Sequence, residues 1–343
     1  MSVKQDLKDL SLNELEDFIS TFGVKPYRAK QIFMWLFQKH AHSIDSMTDL
    51  SKDIRRKLCE NSYVSHLTLK KTDQSKDKSK KFLFETSDNN GIESVLIPER
   101  NHYTLCISTQ IGCPMKCTFC YTGEKGLKRN LSASEILNQV GTILKTGEFE
   151  DKLPNIVFMG MGEPLSNYNN TVKSIQTLLC QWGFNFSHRK VTVSTAGLIP
   201  QMKQLAEDLP VNLAISLNAP NNKIRNRLMP INKKFPIEEL INTAKNYPIS
   251  KRKRITFEYI LIKDINDSDE NAHELTKLLK GFPCKINLIP FNEHPATTFE
   301  QPGEDRITRF RAILLKNKFT APIRRSKGSD IAAACGQLGK SIG

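Results

Sequence analysis

Three cysteines lie within eight residues of one another, at Cys113, Cys117 and Cys120, with the spacing C-x3-C-x2-C. Three thiolates at this spacing can bind three irons of a [4Fe–4S] cluster and leave the fourth iron open to a substrate. Zinc is the alternative metal, but it usually takes four protein ligands, and no further Cys or His lies nearby in the sequence. A distant fourth ligand would restore either a zinc site or a fully ligated electron-transfer cluster.

The composition describes a basic protein that can bury a core. The chain has 343 residues, 39% of them hydrophobic, and 50 Lys and Arg against 36 Asp and Glu give a net charge of +14. Such an excess favours a polyanionic partner such as nucleic acid or an acidic membrane surface, and on charge alone a solvated basic surface is the alternative. The start of the chain is polar, without the apolar segment of a secretory signal, and no stretch approaches the ~18 apolar residues of a membrane span. We therefore expect a cytoplasmic protein with no membrane contact.

The order of elements predicts an α/β fold with a helical N-terminus. Ser11 and Glu14 fit a capping box before a first helix, and apolar residues at helical spacing predict two more helices before residue 60. Residues 81–85 and 93–98 read as two strands joined by a turn at 88–91. We expect three parts: a helical accessory domain (1–60), a β-hairpin extension (61–100) and a catalytic domain (101–343).

From residue 104 onward, six short apolar strands alternate with helical patterns. Repeated βα units predict a parallel sheet, and six units are fewer than a closed eight-stranded barrel requires. The predicted fold class is thus a partial (β/α)6 barrel of the TIM type. Reactive side chains of such a sheet should lie where strands end. The unusual residues do follow predicted strands: Cys113 after the first, Gly160–Pro164 after the second, Ser194 at the third, Ser216–Asn218 at the fourth and Asn292 after the sixth.

The cysteine spacing, with the aromatic Phe119 before the third cysteine, resembles the radical S-adenosylmethionine (SAM) superfamily. This resemblance implies that SAM binds the open iron and that reduction cleaves SAM to a carbon radical. Gly160 and Gly162 would let main-chain carbonyls approach the SAM ammonium. The resemblance also implies SAM contacts from Gly162, Glu163, Ser194, Ser216, Leu217, Asn218 and Asn292.

Further motifs resemble one narrower family over nearly the whole chain, the dual-specificity RNA adenine-C2 methyltransferases (RlmN family). They are Thr104–Cys106, Gly160–Leu165, Leu228–Asn232, Asn287–Asn292 and Arg324–Leu338. The resemblance implies methylation of adenosine C2 in 23S ribosomal RNA and tRNA, with a [4Fe–4S] cluster and two SAM per turnover. It further implies an electron donor such as flavodoxin. We expect the protein to act as a monomer.

The same resemblance implies three catalytic residues outside the cluster motif. Cys335 takes a methyl group from one SAM, and a radical derived from the second SAM turns this methylcysteine into a carbon radical that adds to C2. Cys106 then attacks the sulfur of Cys335, which forms a disulfide and releases the methylated base, while Glu93 accepts the C2 proton. Judged without the resemblance, Cys106 and Cys335 are better explained as buried small residues and Glu93 as a strand-edge carboxylate.

Two departures from the family pattern bear on the substrate. Asn218 stands where the family commonly has His, and residues 293–298 replace a proline- and glycine-rich run. The alternative functions are the related C8-adenosine methyltransferase, which confers antibiotic resistance, and a non-catalytic, metal-stabilised RNA-binding module. Phe257–Tyr259 and Gly162–Pro164 favour the C2 branch. Lys251–Arg254 and Arg324–Arg325 are candidate RNA contacts, with a solvated basic face as the alternative.

Overall fold

A computed structural model describes residues 4–147, 149, 153–248 and 254–339 of the chain. In these residues a nine-stranded sheet forms the centre of the molecule, and two small two-stranded sheets accompany it. No helix of the described residues is both long and apolar enough to cross a membrane. The strands are β1 (Gln5–Asp6), β2 (Ser62–Tyr63), β3 (Thr68–Gln74), β4 (Lys80–Glu85), β5 (Gly91–Pro98), β6 (Tyr103–Cys106), β7 (Gln110–Gly112), β8 (Leu127–Asn130), β9 (Asn155–Phe158), β10 (Val191–Thr195), β11 (Asn212–Ser216), β12 (Ile255–Leu261) and β13 (Cys284–Pro290).

Helices cover the sheet and form the N-terminal region. They are α1 (Leu12–Ser20), α2 (Arg28–Phe37), α3 (Lys52–Asn61), α4 (Tyr121–Glu124), α5 (Ala133–Leu144), α6 (Tyr168–Leu179), α7 (Ile199–Asp208), α8 (Asn222–Leu228), α9 (Ile237–Lys245), α10 (Asp269–Leu278) and α11 (Glu304–Lys316). Short 3₁₀ helices occur at Leu7–Asp9, Ile44–Ser46, Pro164–Asn167, His188–Lys190, Pro230–Lys233 and Ser329–Ile331.

The six predicted βα strands are present as one parallel block. The large sheet has the order β13-β12-β11-β10-β9-β6-β5-β4-β3, and β6 and β9 to β13 pair in parallel. The sheet is open, because its first and last strands do not pair with each other. The prediction of a partial six-stranded parallel barrel is therefore confirmed.

Three antiparallel strands extend this block beyond β6. β5 pairs with β6, β4 with β5, and β3 with β4. The hairpin expected from residues 81–98 is thus β4 and β5, joined through Asn89 in the left-handed conformation at φ 60°. The lysine-rich stretch before it contains a further strand, β3, which the sequence pattern does not predict. Its alternation of apolar and polar residues is weak because almost every position of β3 is solvent-exposed.

The N-terminal helices form as their capping residues predict. Ser11 caps α1, accepting from the Glu14 amide while the Glu14 side chain accepts from the Ser11 amide. Their apolar faces share one continuous buried core with the parallel sheet, so that Phe37 of α2 contacts Phe184 at 5.4 Å between ring centroids. The division of the chain at residues 60 and 100 stays a prediction.

A short two-stranded hairpin encloses the loop that carries the three clustered cysteines (113–120, hereafter the cysteine loop). β7 pairs antiparallel with β8, and the Cys113 amide donates to the Gly126 carbonyl oxygen at 2.9 Å. Gly112 lies at φ 78°, and a Cβ placed there would sit 1.8 Å from that same oxygen. The close backbone approach that fixes the start of the cysteine loop therefore requires glycine at position 112.

We predict that Gly112→Ala destabilises the protein clearly more than Gly126→Ala. Gly126 has a similar φ of 68° but no atom within 4 Å of its added Cβ, so its substitution isolates the cost of a left-handed alanine. That cost is roughly 1–2 kcal/mol, and Gly112→Ala adds an overlap with backbone that no side-chain movement relieves. Urea unfolding of the two variants measures the difference. Equal free energies of unfolding would show that the Gly112–Gly126 contact does not constrain the loop.

Candidate active site

The candidate site lies at the edge of the sheet where the parallel strands end. β6 ends at Cys106, and the Gly160–Pro164 loop follows β9. Ser194 is the penultimate residue of β10, and Ser216 ends β11. The carboxyl ends of parallel strands share one edge, so these residues belong to one face of the molecule.

The cysteine loop lies against an apolar wall at this edge. Cys113 is buried, whereas Cys117 and Cys120 are partly exposed. The loop folds on itself through the Cys120 amide, which donates to the Cys117 carbonyl at 3.1 Å. The wall that packs against it consists of Phe119, Ala196, Leu228, Met229, Ile262 and Phe291.

The three thiols fit the donor set of an iron–sulfur cluster. Burial raises the pKa of Cys113 to about 12 and also raises that of Cys117, and in both cases the neighbouring thiols add to the shift. Such thiols become thiolates only when a cation compensates their charge. Within the described ranges, no three His, Cys, Asp or Glu side chains converge on a point where one ion would sit. Ligands of a cluster need no such point, because each thiolate binds a different iron.

The glycine loop after β9 packs tightly on the end of β6. The Gly160 amide donates to the Ile107 carbonyl at 3.0 Å, and the Met161 amide donates to the Ser108 hydroxyl at 2.8 Å. A Cβ on Gly162, at φ 99°, would lie 2.5 Å from the Cβ of Gln110. In this structure, the close backbone approach that the two glycines allow is an approach to the end of β6 and the start of β7. These contacts hold the glycine loop in place.

Glu163 connects the loops that follow β9 and β10. Its carboxylate is buried and accepts from the Leu165 amide at 3.1 Å and from the Ala196 amide at 2.7 Å. Burial raises the pKa of Glu163 to about 7, although these hydrogen bonds act in the opposite direction. In this structure its side chain holds the backbone of the site in position.

The residues expected to contact SAM from β10 and β11 differ in accessibility. Ser194 and Ser216 are partly exposed, whereas Leu217 lies in the core. Asn218 is buried at φ 56°, and its side-chain oxygen accepts from the Ile260 amide at 2.9 Å. Its amide nitrogen lies 3.3 Å from the sulfur of Met229. Both ends of the Asn218 side chain thus contact protein atoms.

The C-terminal loop that carries Cys335 lies across the cysteine loop. The Tyr121 amide donates to the Gly336 carbonyl at 2.8 Å, and the Thr122 hydroxyl donates to the Leu338 carbonyl at 2.7 Å. The Asn292 side chain donates to the Cys335 carbonyl at 2.9 Å. The expected residues 292 and 335, far apart in the chain, are therefore in direct contact beside the cysteine cluster.

Cys106 and the Cys335 loop meet in a small apolar group. Cys106 is buried with Val95, Met161, Ala333 and Leu338. Burial raises the pKa of Cys106, and the nearby Cys335 adds to the shift. Cys335 is exposed to solvent, but the protein that surrounds it on most sides raises its pKa to about 11, and the Glu258 carboxylate contributes further.

Glu93 lies beneath the same loop. It is fully buried on β5, its carboxylate is 3.2 Å from the Lys81 ammonium, and it accepts from the Gly339 amide at 2.6 Å. The carboxylate thus holds the end of the Cys335 loop against the sheet. In this arrangement no part of Glu93 is open to a substrate.

The sequence is similar to known proteins over its whole length. A family described as the ribosomal RNA large subunit methyltransferase N-terminal domain matches residues 5–64, and the radical SAM superfamily matches residues 107–276. The dual-specificity RNA methyltransferase RlmN of Desulfosudis oleivorans is 49% identical over 99% of this chain and 92% of the relative. That of Syntrophotalea carbinolica is 50% identical, over 97% of this chain and 89% of the relative.

The chain belongs to the RlmN family. A solved radical SAM methyltransferase from Sphaerobacter thermophilus agrees, with a TM-score of 0.90 and 44% identity over 97% of this chain and 98% of that one. Membership of the RlmN family and of the radical SAM superfamily implies a [4Fe–4S] cluster and SAM as cofactors.

The RlmN resemblance also implied a disulfide, and the structure does not contain one. All eight cysteines of the chain are free thiols. Cys106 is enclosed in an apolar group whereas Cys335 is open to solvent, so no permanent bond between them supports the fold.

Sequence reasoning missed the residues that hold the Cys335 loop from outside. The Ser75 hydroxyl donates to the Asp330 carboxylate at 2.6 Å, and the Gly328 amide donates to the Asp77 carboxylate at 2.7 Å. Short polar residues around a turn are common, so no signal in the sequence distinguished these.

Residues 293–298, which differ from the family pattern, contact the cysteine loop. A ring nitrogen of His294 lies 3.1 Å from the Phe119 carbonyl oxygen.

The candidate RNA contacts are only partly described. Lys251–Lys253 lie outside the described residues. Arg254 and Arg325 are exposed, and Arg325 makes a bidentate ion pair with Glu304 at 2.7 Å. The Arg324 amide donates to the Leu288 carbonyl at 2.7 Å, which fixes this segment beside β13.

We predict that Lys81→Met destabilises the protein by about 3–5 kcal/mol, because it leaves the Glu93 carboxylate buried without its cation. The double variant Lys81→Met/Glu93→Gln should recover part of this loss, since the buried charge is then absent. Denaturant unfolding of Lys81→Met, of Glu93→Gln and of the double variant gives a double-mutant cycle that measures the interaction between the two charges. Additive losses would mean that the two charges do not interact.

Proposed function

We propose that this chain methylates C2 of adenosine in 23S ribosomal RNA and in tRNA by way of a methylated Cys335. Its relatives are named dual-specificity RNA methyltransferases, and its net charge of +14 suits an RNA substrate. The observation that carries the proposal is the position of the Cys335 loop. This loop is hydrogen-bonded to Tyr121 beside the cysteine cluster and packs with Cys106 at the end of β6.

Residues at the strand ends would hold the cofactors. Cys113, Cys117 and Cys120 would bind three irons, and the proposed SAM contacts are Gly162, Glu163, Ser194, Ser216, Leu217, Asn218 and Asn292. When bound, the cluster and two SAM molecules per turnover supply one methyl group and one carbon radical, given an electron from a donor such as flavodoxin. The buried loops after β9 and β10, joined by Glu163, keep this part of the site rigid.

The exposed thiol of Cys335 would receive the methyl group. Adenine C2 is electron-poor and has no lone pair, so a polar transfer to it is unfavourable, whereas a carbon radical on the methylated Cys335 can add to it. The base must leave its stack to reach this thiol, as in other enzymes that act on a base. The exposure of Cys335 supports direct contact with RNA.

Cys106 and Glu93 would complete the reaction. The Cys106 thiolate would attack the Cys335 sulfur and form a disulfide, which breaks the bond from that sulfur to the carbon carried by the base. This carbon would leave with the bonding electrons and take up a proton to complete the methyl group, and an external thiol would reduce the disulfide before the next turnover. Glu93 would accept the C2 proton. Because its carboxylate accepts from the Gly339 amide, this role requires the end of the loop to move away from Glu93. We further propose that the protein acts as a cytoplasmic monomer.

We predict about four irons per chain in anaerobically prepared protein. Ala in place of any one of Cys113, Cys117 or Cys120 should abolish both the cluster spectrum and SAM cleavage, whereas Cys180→Ala, on the end of α6, should preserve both. Iron analysis and detection of 5′-deoxyadenosine measure the two properties. Stoichiometric zinc with activity retained after iron removal would contradict a radical mechanism.

Methylated RNA gives the regiochemistry directly. Digestion and mass spectrometry of RNA incubated with the protein should yield 2-methyladenosine in both ribosomal RNA and tRNA. Detection of 8-methyladenosine instead would assign the chain to C8 chemistry.

We predict that Cys106→Ala accumulates covalently bound to RNA through Cys335. Methylation of Cys335 and radical formation do not need the Cys106 thiol, but release of the base does. Denaturing gels, nuclease digestion and peptide mass spectrometry should find a nucleotide remnant on the Cys335 peptide. The double variant Cys106→Ala/Cys335→Ala should show no crosslink. Normal turnover by Cys106→Ala would mean that Cys106 only fills the core.

A further inference from the structure

A buried arginine stands beside the cysteine cluster and takes no part in the roles assigned above. Arg225, on α8, is 1% exposed, although it is among the bulkiest side chains of the chain. Its guanidinium donates to the main-chain carbonyls of Ala196 at 2.7 Å, Leu217 at 3.2 Å and Ser216 at 3.3 Å. One further donor reaches the side-chain oxygen of Asn232 at 3.0 Å. Every one of these acceptors is neutral.

The positive charge of Arg225 therefore has no counter-charge in the described part of the chain. No carboxylate of the described residues forms an ion pair with it, and the buried Glu163, which also contacts Ala196, accepts from the amide of that residue and not from the guanidinium. Burial lowers the pKa of Arg225 to about 10, which still leaves the group protonated at neutral pH. A buried, unpaired cation costs several kcal/mol, and such a cost usually indicates an anion that completes the site.

The helix that carries Arg225 packs directly on the cysteine loop. The Thr118 amide, next to Cys117, donates to the Leu228 carbonyl at 3.0 Å. Leu228 and Met229 belong to the apolar wall against which Cys117 and Cys120 pack. Ala196, whose carbonyl accepts from Arg225 at 2.7 Å, belongs to the same wall. The guanidinium is thus bonded to the wall against which the cysteine loop packs.

We propose that Arg225 is the fixed counter-charge of the iron–sulfur cluster and raises its reduction potential. This inference rests on the proposed function, since it requires the cluster. Three thiolates and the cluster sulfides carry net negative charge, and reduction adds one more negative charge. A cation held in place by four neutral acceptors, away from water, favours the reduced form, because its field is little screened. Arg225 acts through space and is a positioning residue, not a ligand.

The proposal predicts a lower midpoint potential for Arg225→Gln. We expect the equilibrium between reduced and oxidised cluster to shift about tenfold toward the oxidised form, which is about 59 mV for one electron. Arg227→Gln is the matched control, because it removes the same charge from the same helix at an exposed position. Its shift should stay below about twofold, since solvent screens the charge of Arg227. Redox titration followed by electron paramagnetic resonance, without SAM, measures both.

A second pair of variants keeps Arg225 in place. Asn232→Asp puts a carboxylate where the neutral oxygen accepts from Arg225, and should lower the potential in the same direction by cancelling the charge. Asn232→Ala removes the same amide donors without adding charge and should leave the potential near that of the wild type. This pair decides the question if Arg225→Gln does not fold.

Three results would overturn the counter-charge role. Equal potentials for Arg225→Gln and Arg227→Gln would show that the buried charge does not act on the cluster. A shift seen only after SAM is added would mean that the anion paired with Arg225 is the SAM carboxylate and not the cluster. Equal shifts in Asn232→Asp and Asn232→Ala would mean that Arg225 braces the loops without an electrostatic effect. A wild-type protein without any cluster signal would instead reject the proposed function, which is a separate outcome.

Discussion

The carboxyl ends of six parallel strands must meet at one edge of the sheet, and the candidate site depends on this constraint. Strand ends leave backbone groups without sheet partners, and this protein satisfies several of them with buried side chains. Glu163 accepts hydrogen bonds from the amides of Leu165 and Ala196, while Arg225 donates hydrogen bonds to the carbonyls of Ala196 and Ser216. The carboxyl group of Glu163 and the guanidinium of Arg225 therefore hold the same residue, Ala196, one at its amide and the other at its carbonyl. The loops that follow β9, β10 and β11 are connected to one another as a result.

Much of the fold follows from local patterns in the sequence. The capping box at Ser11 marks the start of α1, and short apolar runs mark the six parallel strands. β3 was not predicted, because an exposed strand at the edge of a sheet has no buried face that would require apolar and polar residues to alternate. The short hairpin of β7 and β8 is held by backbone contacts at Gly112, which leave no hydrophobic pattern.

The site was predictable only where chemistry restricts residue types. Cysteine spacing identified a cluster loop, and family motifs pointed to Cys335 and Asn292, which the fold brings into contact. The partners of Glu93 come from β4 and from the C-terminal end, so no short motif contains them. Arg225 could not be recognised either, because an arginine in a helix rich in polar residues usually faces solvent. Which charged side chain becomes buried depends on tertiary packing.

The open sheet has two edges, one covered by another segment of the chain and the other exposed to solvent. Beyond β13, the segment 320–323 lies alongside the strand and bridges to Lys285 and Leu288. The other edge, β3, is open to solvent but carries Lys70 and Lys71 on exposed backbone. These lysines form ion pairs with Glu85 and Asp73, and a strand added at this edge would have to remove water from the charged pairs. A nine-stranded sheet with one covered edge and one charged edge is thereby protected from growing into larger aggregates by strand addition.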